Sequence, residues 1–306
     1  MPGVDDLDLP AGLSSRPLTL DDAYPVYEVM AIQEQHDLGK VEIEPADIVG
    51  DWQKPSFDVG ASTMGVLDGD TLIAYAEVSK SGRGDAAVHP SYRRRGIGTT
   101  LASWMRTRTG ELGGTVIGSP VPQGSPGDQL LDKLGWKVRW TSWVLTLPEG
   151  ARIAERPLPE GYRIRAATPD DYPAAHVVKE DAFLEWSERE REPYEDFLAT
   201  SVRRPGFEPW HLRIVTDAGG EVVGTCLMSM YGEPPEEVFI SQLAVRRDQR
   251  HRGLAQALLV DAFALGRAHG AKRSALSTDS RTGALTLYQK VGMQVGDVWV
   301  NRASEV

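Results

Sequence analysis

An internal repeat constrains the fold of this 306-residue chain more than any other feature of its sequence. The stretch "PSYRRRGIGTTLAS" resembles "RRDQRHRGLAQALL", and the glycines that follow the arginines, Gly96 and Gly253, lie 157 positions apart. Gly135 in "LLDKLGWKV" and Gly292 in "LYQKVGMQV" are separated by the same 157 positions. Because two anchors keep one spacing, the sequence predicts two copies of a single domain.

The ends of the two copies follow from a second alignment. "LTLDDAYP" matches "AATPDDYP" at an offset of 149, so copy 2 gains eight residues, which we place around "MYGEPPEEVF". The length also suits two domains of ordinary size. We therefore predict an N-terminal domain at 1–150 and a C-terminal domain at 160–306. The connector "LPEGARIAERPLPEG" is rich in proline, glycine and charge, which predicts a solvated linker.

The order of strands and helices predicts the fold class. In copy 2, "WHLRIVTD" and "EVVGTCLMSMYG" flank the turn "DAGG" and predict a hairpin. Thr168 and the aspartates after it suit a helix N-terminus, and "GLAQALLVDAFALGRAHG" has the pattern of an amphipathic helix that ends at glycine. The pattern predicts an α/β protein of the α+β type, in which each copy forms a mixed, largely antiparallel sheet flanked by helices.

Composition excludes several classes of protein. The formal net charge of −11 disfavours a general affinity for nucleic acid, whose phosphates require a basic surface. No run of about 18 apolar residues occurs and the N-terminus is acidic, so we expect neither membrane insertion nor export, and a cytoplasmic location. Cys226 is the only cysteine and has no ligand-like neighbour, which predicts a buried side chain, no disulfide and no metal site.

The arginine-rich turn of copy 2 predicts an anion site. The apolar strand "ISQLAV" is followed by the turn at 250–255 and then directly by a helix, so unpaired backbone N–H groups converge on one volume. Gly253 lets the backbone approach an anion, and the small Ala255, or Gly98 in copy 1, keeps the next position open. The flanking arginines would add charge-assisted hydrogen bonds. A phosphate or pyrophosphate fits this arrangement, and a merely solvated helix start is the alternative.

These residues resemble a known family. "LAVRRDQRHRGLAQALL" followed by "ALSTDSRTGALTLYQKVGM" is similar to the GCN5-related N-acetyltransferase (GNAT) family, in which an Arg/Gln-x-x-Gly-x-Gly/Ala turn binds the pyrophosphate of acetyl-coenzyme A. The motif is complete in both copies, and the element order agrees over nearly the whole chain. The tandem arrangement resembles the two-domain branch of the family to which the mycothiol synthases belong. The resemblance implies acetyl-coenzyme A as the acyl donor, with no metal.

The resemblance also implies two sets of cofactor-binding residues. In copy 2 the backbone at the end of the strand would pair with the pantetheine arm and the turn would hold the pyrophosphate, which gives Leu243, Val245, Arg250, His251, Arg252, Gly253, Leu254 and Ala255. The corresponding second candidate site in copy 1 is Val88, Arg93, Arg95, Gly96 and Gly98.

Catalytic residues follow from the same resemblance. Tyr288 stands where the family places a tyrosine that protonates the departing thiolate, although a tyrosine on an apolar helix face is otherwise a core residue. Relatives often carry a glutamate base on the strand before the turn. One branch has it at the position of Phe239 in this chain, so we nominate Glu237, two residues earlier, with Glu236 in reserve. Solvated glutamates at a hairpin end are the alternative.

Copy 1 lacks the proposed acid, because the position 157 residues before Tyr288 holds Leu131. We therefore predict that copy 1 is catalytically silent and that copy 2 transfers acetyl to a primary amine of a small molecule by direct attack. The alternatives are an acyl-coenzyme A sensor, a structural pseudoenzyme, or transfer to a protein or peptide amine. We expect no nucleic acid or membrane partner, and the oligomeric state stays open.

The acceptor is expected to bind at "FLEWSEREREPYEDFLATSVRRPGFEPW", where the family shapes its acceptor pocket. Trp186, Tyr194 and Trp210 could form apolar walls there, or pack in a core. His211 and His251 suit structural or phosphate-side positions better than the role of base.

Overall fold

Helices and strands form where the sequence pattern predicts them, because each buries one apolar face. A computed structural model describes residues 7–232 and 234–306. It contains two units: unit 1 comprises the chain up to Thr141 together with Trp299–Val306, and unit 2 comprises Ser142–Val298. These limits differ from the predicted division at 1–150 and 160–306 in the segment that closes each copy.

Unit 1 contains copy 1. Its strands β1 to β4 form an antiparallel sheet in the order β1-β2-β3-β4. The strands are β1 (Leu13–Arg16), β2 (Thr63–Asp68), β3 (Thr71–Val78), β4 (Gly84–Val88), β5 (Val116–Pro122) and the start of β6 (Lys137–Leu147). The helices are α1 (Ala23–Leu38), α2 (Pro45–Trp52), α3 (Val59–Ser62), α4 (Ile97–Glu111) and α5 (Pro126–Lys133).

Unit 2 contains most of copy 2. Its strands follow the order β6-β11-β10-β9-β8-β7, in which β10 and β11 are parallel and the other neighbouring pairs are antiparallel. The strands are the end of β6, β7 (Arg163–Ala166), β8 (Leu212–Thr216), β9 (Val222–Tyr231), β10 (Glu237–Val245), β11 (Arg273–Asp279) and the start of β12 (Gln294–Glu305). The helices are α6 (Tyr172–Phe183), α7 (Tyr194–Thr200), α8 (Leu254–Ala268) and α9 (Leu285–Lys290).

The second part of the last strand of each copy belongs to the other unit. In unit 2, residues 142–147 of β6 pair antiparallel with Ser274–Asp279 of β11. In unit 1, Trp299–Glu305 of β12 pair antiparallel with β5. Each of these strands follows a short helix, α5 or α9. Because any open strand edge can pair with their backbone groups, the local sequence does not specify the partner.

Apolar faces of the helices build the cores. Leu254, Leu258 and Ala262 lie at four-residue intervals on α8 and are all buried against the sheet of unit 2. Trp104 of α4 is buried in the same way in unit 1. Cys226 of β9 is buried, as predicted, and burial raises the pKa of its thiol. The predicted α+β class, with helices on mixed and largely antiparallel sheets, is therefore confirmed.

Two local predictions can be compared with the fold. Thr168 and Asp171 form a capping box, in which the Thr168 amide donates to the Asp171 carboxylate at 2.8 Å. The extra residues of copy 2 lie in its central hairpin, since β9 and β10 have ten and nine residues where β3 and β4 have eight and five. No helix in the described part of the chain combines the length and apolar character needed to cross a bilayer.

Candidate functional site

Strands β10 and β11 separate in the middle of the sheet of unit 2. Their parallel pairing runs from Glu237 to Ile240, and the pairing of β10 with β9 is then interrupted by a bulge between Ile240 and Gln242. From Gln242 to Val245 the described register pairs β10 with β9 alone. The other edge of this stretch can therefore bind an extended ligand through backbone groups.

The turn after β10 forms a nest of backbone amides, a geometry suited to an anion. His251 and Gly253 both have positive φ, 65° and 82°, which directs successive amides to one side. The Ala257 amide donates a hydrogen bond to the Gly253 carbonyl at 3.0 Å and is the first amide of α8 to bond within the helix. The helical amides before it therefore have no intrahelical acceptor. Arg94 and Gly96 repeat this conformation in unit 1, with φ of 64° and 91°.

The separated strands, the nest and α9 enclose a cavity of about 900 Å³ in unit 2. Arg252 and Glu237 are predicted site residues that do not line it. The cavity brings together most of the residues that the sequence predicted for copy 2, namely Leu243, Val245, Arg250, His251, Gly253, Leu254, Ala255 and Tyr288.

Tyr288 lies in this cavity on α9 and is 8% exposed. Burial, with a smaller effect from Cys226, raises the pKa of the Tyr288 hydroxyl to about 12. The hydroxyl therefore carries its proton throughout the neutral range. A protonated hydroxyl at the wall of a cavity has the form that a general acid requires.

The sequence predicts that Arg250 offers its guanidinium to an anion at the nest, but in the structure this guanidinium is paired with a carboxylate. It forms a two-pronged ion pair with Glu185 at 2.6 and 2.8 Å, and its Nε donates to the Val245 carbonyl at 3.2 Å. In unit 1, Arg93 makes the same pair of contacts with Asp37 and the Val88 carbonyl. The motif arginine thus fastens the turn to a carboxylate near the end of α1 in unit 1 and in the loop after α6 in unit 2, because a planar guanidinium fits a carboxylate with two bonds.

The other predicted arginines also lie on the outside of the turns. Arg252 donates to the Tyr162 hydroxyl at 3.3 Å. Arg95 of unit 1 lies over the Tyr92 ring, 5.4 Å from its centroid. In both turns the backbone amides, rather than the motif arginines, remain directed at the anion position.

The structure does not bring Glu237 to Tyr288. Glu237 begins β10 and pairs with Arg273 at 3.0 Å, and Glu236 pairs with Lys272 at 2.6 Å. Four residues of strand separate Glu237 from Ser241, the bulge residue at the cavity, which is about 13 Å. The longer hairpin of copy 2 therefore carries the nominated base away from the site.

The predicted aromatic walls are only partly present. Trp186 lines the cavity and receives the guanidinium of Arg281 at 4.9 Å from its ring centroid. Tyr194 instead packs against His176, with ring centroids 5.6 Å apart, and Trp210 stacks on His269 at 3.9 Å. These two rings support the fold of unit 2 rather than its cavity.

Of the two predicted histidines, His251 lines the cavity beside the nest and His211 does not. His211 is 5% exposed, and its Nδ1 accepts a hydrogen bond from the Glu208 amide at 3.1 Å. Burial, together with the positive charges of Arg204 and His269, lowers the pKa of His211 to about 4. It is a neutral structural residue.

In the described part of unit 2, one histidine and two carboxylates, His176, Glu180 and Glu192, lie close enough to share a metal ion. Two cations already occupy their oxygens: Arg189 donates twice to Glu180 at 2.8 Å, and Lys179 lies 2.8 Å from Glu180 and also contacts Glu192. This network anchors the loop after α6, which carries Glu185 and Trp186 to the cavity.

Unit 1 presents the same turn beside a filled strand edge. The Val88 amide donates to the Gln33 side chain at 2.9 Å, whereas the residue 149 positions after Gln33 is Ala182, which lines the cavity of unit 2. An ideal Cβ on Gly98 would lie 2.8 Å from the Leu130 side chain. Leu131, in the position of Tyr288, is buried in the core.

Sequence reasoning missed Glu185, the partner of the motif arginine, and Arg156, which lines the cavity from the connector. An acidic residue at or just after the end of the first long helix of each copy, Asp37 in α1 and Glu185 after α6, was an available signal for Glu185. Nothing in the connector's composition indicated Arg156.

Comparison with known proteins agrees with this geometry. The model of the acetyltransferase (GNAT) family matches residues 26–121 and 173–293. A mycothiol acetyltransferase of Salinispora arenicola (strain CNS-205) is 31% identical over 260 residues, covering 78% of this chain and 80% of that protein. This similarity confirms the predicted resemblance to the tandem branch.

Solved structures share the fold over nearly the full length. A GCN5-related N-acetyltransferase from Sphaerobacter thermophilus is 25% identical and covers 97% of this chain and 96% of its own, with a TM-score of 0.71. A tandem GNAT protein from the clavulanic acid biosynthesis pathway, 17% identical, covers 96% and 98% with a TM-score of 0.70. The chain belongs to the acetyltransferase (GNAT) family and is an acyl-coenzyme A-dependent acetyltransferase.

Proposed function

We propose that unit 2 transfers the acetyl group of acetyl-coenzyme A to a primary amine of a small molecule, and that unit 1 is catalytically silent. One observation carries the proposal: a single cavity in unit 2 combines the anion nest, the open edge of β10 and the protonated Tyr288. In unit 1, Leu131 stands in the position of Tyr288, the Leu130 side chain lies against Gly98, and Gln33 accepts a hydrogen bond from the Val88 amide.

Each part of the cavity has one role in the proposed reaction. The nest and the helix end hold the pyrophosphate, and the β10 edge at Leu243 and Val245 aligns the thioester. The bound donor supplies an acyl thioester. As the amine nitrogen forms its bond to the acyl carbon and the bond from carbon to sulfur breaks, the Tyr288 hydroxyl donates its proton to the sulfur.

The amine loses its surplus proton to solvent in this scheme. Glu185 and Asp279 are the carboxylates lining the cavity in the described chain, and both are paired with arginines, Arg250 and Arg281. Neither is a free base. Attack by an already neutral amine, with water as the proton acceptor, fits these contacts.

The acceptor class that we propose is taken from the similar proteins. Several proteins of up to 31% identity are mycothiol acetyltransferases, so amines of the mycothiol type are the first acceptors to test. Trp186 offers such an acceptor an apolar wall beside the cavity.

Calorimetric titration with acetyl-coenzyme A tests which unit binds the donor. Wild type is compared with Gly253→Glu and Gly96→Glu, whose carboxylates repel a pyrophosphate. The two variants are matched in backbone strain, because both glycines have positive φ, 82° and 91°. One site that is lost only in Gly253→Glu supports the proposal.

Other outcomes overturn it. Two sites, or a site that is lost only in Gly96→Glu, would make unit 1 a donor site. No heat and no thermal shift would remove the donor assignment of both turns. Binding at unit 2 without acetyl transfer to any amine of the mycothiol type would favour the sensor alternative.

A further inference from the structure

The connector between the copies is part of unit 2 rather than the solvated linker that its composition predicted. Ile153 is buried in the core of unit 2 at 6% exposure. The Ala154 carbonyl accepts a hydrogen bond from the Gln256 side chain, in the first turn of α8, at 2.6 Å. These two contacts hold the connector across the start of the helix that bears the nest.

This path places Arg156 over the anion-binding turn. An ideal Cβ on Gly253 would lie 3.2 Å from Cδ and 3.6 Å from Cβ of Arg156, so the side chain covers the residue at which the nest closes. Arg156 lines the cavity and is exposed to solvent. Its guanidinium can therefore reach an anion seated on the amides of the nest.

Arg156 also differs in charge balance from the motif arginines. Arg250 is neutralised by Glu185, and Arg252 is directed at the Tyr162 hydroxyl. Among residues 7–232 and 234–306, no ion pair or hydrogen bond engages the Arg156 side chain. Among the described residues, Arg156 is therefore the arginine that lines the cavity and whose charge is available to pair with a ligand.

Copy 1 provides an internal comparison. The connector sequence "LPEG" at 158–161 corresponds to "LPAG" at 9–12, at the offset of 149, and Gly161 and Gly12 share a left-handed conformation, with φ of 82° and 90°. At the same offset Arg156 corresponds to Leu7, which packs against the core of unit 1. The free cation is thus present in the copy with the cavity and is replaced by an apolar residue in the other.

We propose that Arg156 binds the phosphates of the acyl donor, so that the connector completes the donor site of unit 2. The proposal rests on the proposed donor site at the turn of unit 2. Arg156 would make charge-assisted hydrogen bonds to the diphosphate from the side opposite the amides. A diphosphate held from two sides binds more tightly than one held by the nest alone.

Calorimetric titration of the full chain tests this role. Arg156→Leu installs the residue of copy 1, and Arg152→Leu removes another exposed arginine of the connector that does not line the cavity. We expect Arg156→Leu to weaken acetyl-coenzyme A binding about 10- to 100-fold, the range of a charged hydrogen bond, and Arg152→Leu to change it less than about threefold. Equal affinity of wild type and Arg156→Leu, or an equal loss in both variants, would overturn the proposal.

A donor without phosphates distinguishes the loss of a contact between Arg156 and the phosphates from a distortion of the cavity by the substitution. S-acetylpantetheine keeps the thioester arm and lacks the diphosphate, so its affinity should be equal in wild type and Arg156→Leu. A parallel loss for both donors would show that the substitution disturbs the cavity, and would refute the phosphate contact. Failure of wild type to bind acetyl-coenzyme A would instead refute the proposed function itself.

Discussion

Deleting residues 299–306 should unfold unit 1, although these residues end copy 2. The segment supplies the strand that pairs with β5 over seven register positions. Val300 of this segment is buried, at 3% exposure. The Arg302 guanidinium donates hydrogen bonds to the carboxylates of Asp128 at 2.7 Å and Asp132 at 2.5 Å. Unit 1 therefore loses a strand, a core side chain and the partner of a buried carboxylate together.

The structure sets the size of the effect. Burying Val300 contributes about 1.5–3 kcal/mol. Asp128 is 10% exposed, and removing its arginine costs about 2–3 kcal/mol, below the range for a fully buried pair. The ladder hydrogen bonds add roughly 1 kcal/mol each. The sum is comparable to the whole stability of a domain, about 5–15 kcal/mol.

Hydrogen exchange followed by mass spectrometry distinguishes the units. Peptides from β2 to β5 should lose protection in the deletion variant, and those from β8 to β10 should keep theirs. Deletion of Val306 alone is the control, because that residue is 47% exposed and contributes one backbone hydrogen bond to Thr115. Retained protection of β2 to β5 after the longer deletion would refute the assignment of this strand to unit 1.

Two further predictions concern titratable residues. Tyr288→Phe should lower kcat about 10²- to 10⁴-fold and leave acetyl-coenzyme A affinity within about threefold, and because the pKa of Tyr288 is about 12, wild-type kcat should show no alkaline loss from this residue up to pH 10. A variant that keeps wild-type kcat in the acetyl-transfer assay would exclude the acid role. His211 has its pKa lowered to about 4, so its contribution to stability is complete above the unfolded pKa of about 6.5 and is lost as pH falls toward 4. The Tm of wild type should fall more between pH 7 and 4.5 than that of His211→Asn, whose amide oxygen can still accept from Glu208, and parallel curves would contradict this.

Much of the fold and part of the site could be predicted from sequence, because the relevant signals are local. The spacing of Gly96 and Gly253 indicated the repeat, and the apolar period of α8 indicated its buried face. The nest is encoded by neighbouring residues of one turn, and Tyr288 was nominated through the family resemblance of the short motif around it. Each of these features depends on residues within a few turns of one another.

The errors arose where distant parts of the chain meet. Composition predicted a solvated connector, but burial of Ile153 and the bond from Gln256 hold it on α8. We nominated Glu237 because residues two positions apart on a strand share a face. The long hairpin of copy 2 instead places Glu237 beside Arg273, at the end of β10 far from the cavity. Counting along one strand cannot show how far that strand extends past the site.

The sequence by itself determined two related copies and a glycine-containing turn before a helix in each, since periodicity, positive-φ glycines and spacing act within short stretches of chain, whereas the acid role of Tyr288 is a prediction from the family resemblance. Only the tertiary structure decided that each copy's last strand completes the other unit, that Arg250 fastens a loop through Glu185, and that Arg156 faces the nest. Strand edges and guanidinium groups accept many partners of equal local chemistry, and packing of the whole chain selects among them.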